Sequence, residues 1–429
     1  MRQPERRTTG RPRTARTTRL LYGATLAAAL VAPVAVPAHA GPLSRTPAAS
    51  PAADGAKGQE LPGMPIALDA RAETVACTPA SKERAKKQDW SRQRLDLDRL
   101  HRHTTGAGVT VALISTGVAP GAEGLDGRVT ARGEAADDCV GQGTFLAGLI
   151  AGSGGPTPRL AGVAPAAKVL ALRGTDRRGQ PDPALVTAAV RTATTAEADV
   201  IAVAVALPRK DTALTRAVAE ARKAGAVVVA AATPEPPSRG SADEIPSRTY
   251  WPAGEPGVLA VADMLPAGAR PDSALRTEDI DLAAPGAGVV SGGPRGKGHY
   301  LGGGVAVATA YAAGAATAVR AAHPQEPADA VTRRLTATAY PADIPQLDAY
   351  AAVTTVLGGA AAAPAGAERA TDAVAVRDTS DADRATGRAV LFVLLGSAGV
   401  LSLLWAGFAL TRARARGWRP AGAGTPDRC

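Results

Sequence analysis

The sequence predicts an α/β domain, a parallel sheet with helices on both faces, followed by one C-terminal transmembrane helix. Three observations carry this reading. The strand-like segments are continuous apolar runs rather than alternating ones, as expected of strands buried on both faces. Helical segments with recognisable caps lie between them. Near the C-terminus, the 22 residues from 389 to 410 carry no charge, and about 20 residues at 1.5 Å rise cross a bilayer core.

The elements follow in order from Gly106. Residues 109–114 read as a buried strand, and 144–152 as a helix opened by a glycine-rich turn. Residues 168–172 are strand-like. Asp182 then offers an N-cap and Pro183 an N1 residue for a helix running towards Ala196. Residues 200–206 form the next strand. Asp211 caps a helix ending near Ala224, with Gly225 at C′. Residues 227–232 and 258–262 are further strands, and a long small-residue helix over 305–322 stops before Pro324.

Composition agrees with an ordered, loop-rich chain. Of 429 residues, 45% are hydrophobic, 47 are Gly and 34 are Pro; disordered chains lack that apolar fraction. The net charge of +10 sits at the two ends. Residues 1–40 carry seven Arg and one Glu, residues 411–429 five Arg and one Asp, and 41–410 are neutral. A nucleic-acid-binding domain keeps its basic surface on the folded part, so no nucleic acid is expected as a partner.

The ends have a topological reading instead. Arg2, Arg6, Arg7, Arg11, Arg13, Arg16 and Arg19 precede an apolar stretch over 20–36, and Ala38-His39-Ala40 supplies small residues at −3 and −1. Residues 1–40 are therefore a secretory signal peptide. After the apolar run at 389–410 come Arg412, Arg414, Arg416 and Arg419. By the positive-inside rule the tail 411–429 stays in the cytoplasm. The chain is thus expected at the cell membrane, single-pass, with its main domain extracytoplasmic. Of the three cysteines, Cys77 and Cys139 fall on the oxidising side and are expected to pair, while Cys429 sits alone on the tail. No metal cluster and no cofactor motif is legible. The remaining divisions are an N-terminal extension over 41–100, whose Pro/Ala/Gly-rich part to about 76 reads as flexible or loosely docked, the domain over 101–357, and a polar linker over 358–388.

Several segments resemble a known family. Ala112-Leu113-Ile114-Ser115-Thr116-Gly117 resembles the subtilase strand that ends in the catalytic Asp. Gly141-Gln142-Gly143-Thr144 resembles the Gly-His-Gly-Thr turn, and Gly304-Val305-Ala306-Val307-Ala308 the Gly-Thr-Ser-x-Ala segment with the nucleophile third. Between them, Ala161-Gly162-Val163-Ala164-Pro165, Ala198-Asp199-Val200-Ile201, the Pro252–Val261 segment and Asp281-Leu282-Ala283-Ala284-Pro285-Gly286 are similar to further family blocks in the same order. The resemblance covers about 77–357 and implies a subtilisin-like fold. It is narrower with the mycosins, the subtilases associated with type VII secretion. That group has a similar signal peptide, an Asp-Cys-x-Gly-His-Gly-Thr-like segment (here Asp138–Thr144), a Trp-containing lead-in (here Lys87-Gln88-Asp89-Trp90) and a C-terminal membrane helix. Membrane components of a secretion system are the partners this implies.

The chemistry departs from the family. A serine protease needs a hydroxyl nucleophile, an imidazole to take its proton and a carboxylate to orient the imidazole. The matched positions hold Ala306, Gln142 and Ser115. The segment corresponding to the family's Ala-Ala-Gly-Asn is Ala231-Ala232-Thr233-Pro234, so Pro234 replaces the side-chain oxyanion donor. His101, His103, His299, Ser291, Asp137 and Asp138 are the candidates for a relocated site. His101 and His103 lie in a charged segment read as solvated, and His299 and Ser291 fall near the degenerate nucleophile in sequence, where they would line the old cleft. The expected function is a pseudoprotease scaffold whose cleft holds at most an uncut peptide. The alternative from family membership is an active serine endopeptidase, and the triad substitutions favour the first.

Overall fold

The computed structural model describes residues 60–69, 71–154, 160–236, 244–357 and 380–417; the expected signal peptide over 1–40, Arg419 and Cys429 lie outside them. The fold is that expected. Seven parallel strands form one sheet: β1 (Thr110–Ser115), β2 (Val129–Ala131), β3 (Lys168–Arg173), β4 (Val200–Val203), β5 (Val227–Ala231), β6 (Leu259–Met264) and β7 (Leu282–Pro285). Their order is β2-β3-β1-β4-β5-β6-β7. The chain starts at the centre and winds out in both directions, so the C-terminal ends of β1, β4 and β5 lie side by side on one edge of the sheet.

Strand periodicity assigns the two faces. Val111 and Leu113 point into a core shared with the helices α3 (Gln142–Ala151) and α6 (Val305–Ala322). Ala112 and Ile114 point into a second core closed by α4 (Pro183–Thr195) and α5 (Thr212–Lys223). The helix starts follow their caps. Asp182 accepts from the amides of Ala184 and Leu185, with Pro183 at N1, and Asp211 accepts from the Leu214 amide. Gly225 takes φ +92°, the left-handed C′ geometry. Helix α3 begins two residues earlier than its sequence pattern indicates, because Gly141 at φ +95° already turns the chain into it.

Two short helices, α1 (Trp90–Arg94) and α2 (Leu97–Leu100), belong to the lead-in. They are not a solvated arm. Asp89 and Arg92 form a buried ion pair. Arg92 also donates to the carbonyls of Ala161, Val290 and Leu160, and Asp89 accepts from the Val290 amide. A buried pair is tolerated when its remaining donors and acceptors are satisfied in this way. Ser91 Oγ meets Tyr311 Oη at 2.6 Å in the middle of α6, and Trp90 donates to the Ala287 carbonyl. The charged segment 98–103 likewise carries a fully buried Leu100 and a half-buried His101.

An antiparallel pair, β8 (Val289–Gly292) and β9 (His299–Gly302), packs beside α3. The described part of the extension docks on it. Met64 N donates to the Leu301 carbonyl at 2.8 Å and Leu301 N to Pro62 O at 2.9 Å, and Leu68 N reaches Arg178 O at 2.8 Å. This corrects the loosely docked reading for residues 60–69: backbone hydrogen bonds, invisible in composition, hold them. Cys77 and Cys139 are disulfide-bonded, with Cα atoms 4.6 Å apart.

Short helices α7 (Ala328–Ala337) and α8 (Ala349–Thr354) close the domain. The last helix, α9 (Ser380–Ala415), starts nine residues before the uncharged run, within the expected linker. Helical propensity does not require an apolar side chain, so the helix extends past the membrane-compatible segment. Its candidate span is 395–415, none of it buried against the domain, whereas the equally apolar α6 is 83% buried and is a core helix.

Candidate functional site

In open parallel sheets, ligands bind outside the carboxyl ends of the strands. Ser115 is the last residue of β1, buried, with no hydrogen-bond partner for its Oγ. The neighbouring Thr116 Oγ1 donates to Asp138 Oδ1 at 2.8 Å and accepts from the Gly143 amide at 2.8 Å. Asp138 also accepts from Gly141 N, Thr144 N and Thr144 Oγ1 at 2.7–2.8 Å. One carboxylate thus ties the end of β1, the turn at 138–141 and the first turn of α3 together. Burial pushes the Asp138 carboxyl group above the ordinary Asp range, against the pull of these four donors.

Gly143 shows how closely these parts approach. A Cβ there would stand 1.8 Å from Gly117 O and 2.4 Å from Ser115 Oγ, so only glycine fits. Gln142 occupies the first position of α3 and is buried. Met64 of the docked extension lies beside it; a Cβ on Gly141 would be 3.0 Å from Met64 Sδ. An amide at 142 and an unbonded hydroxyl at 115 provide neither a base near neutral pH nor a charge to orient one.

The second half of the site is the start of α6, which packs against α3. Gly304, at φ +101°, turns the chain into the helix, and Ala306 lies in its first turn. The first amides of a helix have no intrahelical acceptor. The Ala306 amide donates instead to Glu235 Oε1 at 3.1 Å. Glu235 follows Pro234 in the turn after β5, and the carboxylate lies so close to Gly304 that a Cβ there would be 2.2 Å from Glu235 Oε2. Burial and, secondarily, the like charge of Asp263 raise the Glu235 carboxyl group to about 7, against the hydrogen bonds from Ala306 and Val305. The sequence pattern drew attention to Pro234 and missed its neighbour. No spacing rule marks Glu235; only the proximity of the β5 and α6 ends does.

The other candidates do not assemble. His101 Nε2 bonds the carbonyls of Gly162 and Val163. His103 packs edge-on against Tyr350. Asp137 is surface-exposed and paired with Arg177. Ser291 Oγ donates to Phe145 O, and His299 Nδ1 accepts from the Ala85 amide. Ser291 and His299 line a cavity of about 300 Å³ with Gly148, Gly152 and Ser153, along the C-terminal half of α3. They do not line the cleft at the start of α6 that their sequence positions suggested, because the β8–β9 hairpin carries them to the other end of α3.

The Subtilase family pattern (Peptidase_S8) matches residues 106–377. The chain belongs to the subtilase family. This subtilase is 28% identical over 378 residues to Mycosin-3 of Mycobacterium tuberculosis (strain ATCC 25618 / H37Rv), covering 71% of this chain and 81% of that protein. It is 42% identical to Mycosin-1 of the same organism over 97 residues, which span only 22% of that relative. Among solved structures, MycP1 from Mycobacterium smegmatis superposes with a TM-score of 0.57 at 26% identity, over 70% of this chain and 93% of that one. The MycP3 protease from the type VII (ESX-3) secretion system gives 0.57 at 27% identity, over 69% and 98%. The subtilase fold and the mycosin likeness therefore hold across the domain and not only at the motifs.

Proposed function

We propose that this subtilase is a membrane-anchored pseudoprotease, a structural or scaffolding component of a type VII secretion-like assembly. One observation carries the reading. Ala306 stands at the position matched to the nucleophile, and its amide, the backbone donor an oxyanion would need, is bonded to the protein's own Glu235. Gln142 and Ser115 supply neither proton transfer nor a carboxylate. The likeness to MycP1 and MycP3, which come from ESX-1 and ESX-3 type VII secretion systems, supports the setting. Helix α9 is the anchor in this reading, with the domain outside and the arginine-rich tail in the cytoplasm. Membrane subunits of the assembly are its partners, and an uncut peptide is the ligand class its cleft suits.

The test uses the full-length protein in mild detergent. A fluorophosphonate probe is expected to leave it unlabelled, and peptide turnover is expected at background. Co-purification from membranes is expected to bring down secretion-system membrane subunits. A second reading, an active serine endopeptidase, is favoured by the description of a similar structure as a serine protease, MycP1. Stoichiometric labelling mapped to one serine would establish that reading instead.

A further inference from the structure

Glu235 is a partly buried acidic side chain, hydrogen-bonded to a backbone amide and facing no cation among the described residues that act on it. Its surroundings can be enumerated. From α6 it meets the amides of Val305 and Ala306, and the first turn of that helix carries no charged side chain. From β6 it feels Asp263, itself buried and of the same sign. Arg270 acts on Asp263, and its Nη2 donates to Leu275 O. Behind Val305 the wall is Ala206, Ala231, Leu275 and Tyr250, with Arg248 acting on Tyr250. The positive end of the helix attracts the carboxyl group, while burial and Asp263 resist its ionisation.

We propose that Glu235 is a latch: its carboxyl group seats the 233–236 turn on the first turn of α6, fills the cradle at the Ala306 amide, and leaves it on ionising. The direction follows from linkage. The seated carboxyl group titrates near 7 against an ordinary Glu value of 4.5, so protonation favours the seated form. As pH rises above the ordinary value, a released, hydrated Glu235 gains its charge while the seated one does not. Release is therefore promoted with rising pH and levels off above about 7. In the released form the Ala306 amide is free for a carbonyl or carboxylate oxygen of a bound peptide. The latch goes beyond the secretion role and does not depend on the absence of catalysis, since it is read at a backbone amide.

Hydrogen exchange of the full-length protein in detergent, resolved to the Ala306 amide and corrected for its intrinsic pH dependence, tests this. Between pH 5 and pH 8 the protection of Ala306 is expected to fall on the order of 50-fold, with a plateau above about pH 7. Glu235→Gln keeps the acceptor without the charge and is expected to show protection that does not vary with pH. Glu235→Ala is expected to lose the protection throughout. A wild-type protection that stays constant from pH 5 to pH 8 would overturn the latch, and so would a Glu235→Gln profile that repeats the wild-type fall. Should a variant not fold, the wild-type profile alone decides.

Discussion

A free amide at a helix start attracts an anion from whatever source is nearest. In a hydrolase that anion is the oxygen of the tetrahedral intermediate. At the start of α6 it is Glu235, 3.1 Å from the Ala306 amide. This changes what restoring the triad can achieve. Ala306→Ser, Gln142→His and Ser115→Asp together would supply the three groups of the family's triad, yet leave the cradle filled wherever the Glu235 carboxyl group stays seated, which its shift to about 7 favours on the acid side. We predict that at about pH 6, where Glu235 is seated, this triple variant hydrolyses an activated ester barely above background, and that adding Glu235→Ala raises its rate about 100-fold, the usual worth of an oxyanion donor. Equal rates with and without Glu235 would refute it. Asp138 gives a second prediction. Asp138→Ala leaves the amides of Gly141 and Thr144 and the hydroxyls of Thr116 and Thr144 without their acceptor. Chemical denaturation should show a loss of about 3 kcal/mol. Asp138→Asn should lose less, because its Oδ1 still accepts. The expectation of replaced triad positions at Ser115, Gln142 and Ala306 rests on motif spacing, which assigns residues to positions from the sequence alone. Glu235 and the Asp138 hub could not be read that way, because they depend on which strand ends become neighbours.

Elements were legible to the extent that their boundaries are set locally. Asp182-Pro183 and Asp211 mark helix starts through their own side chains, and both capped as the sequence indicated. The strand β2 and the hairpin β8–β9 carry no strong apolar pattern; β2 is an exposed Thr130 between the half-buried Val129 and Ala131, held by pairing to β3. Nonlocal hydrogen bonds form such elements, so composition does not announce them. The docked extension is the same case, and the Cys77–Cys139 disulfide ties it in at residue 77. The bond closes a loop across a sequence separation of 62 residues, which in the chain-entropy model stabilises by about 4 kcal/mol. Cys77→Ser with Cys139→Ser should therefore lower the denaturation midpoint, and limited proteolysis should cut near residues 60–80 before the sheet. If the extension stays as resistant as in the wild type, the backbone bonds from Met64 and Leu68 suffice to hold it.

The whole molecule poses a question of sidedness. Among the described residues, two helices are apolar and long enough to cross a membrane, α6 and the 395–415 part of α9, and burial separates them. Helix α6 is the central core helix of the domain, enclosed by the sheet and by α3, α7 and α8. Moving it into lipid would unmake the fold. The 395–415 segment has no protein to cover it and leaves Leu403, Leu404, Trp405 and Phe408 well exposed, which in water would amount to a large apolar surface. Lipid is the partner of matching chemistry. The arginines then set the direction: Arg412, Arg414 and Arg416 follow the span at its C-terminal end, while Arg388 stands alone before it. In the proposed topology the domain with its disulfide is therefore predicted to lie outside. Protease added to intact, wall-stripped cells should remove the domain and leave a protected fragment that contains 395–429. A reporter fused after Cys429 should be active only if it works in the cytoplasm. A fusion active solely outside the membrane would invert the topology, and would place the Cys77–Cys139 bond in a reducing compartment where such bonds do not persist.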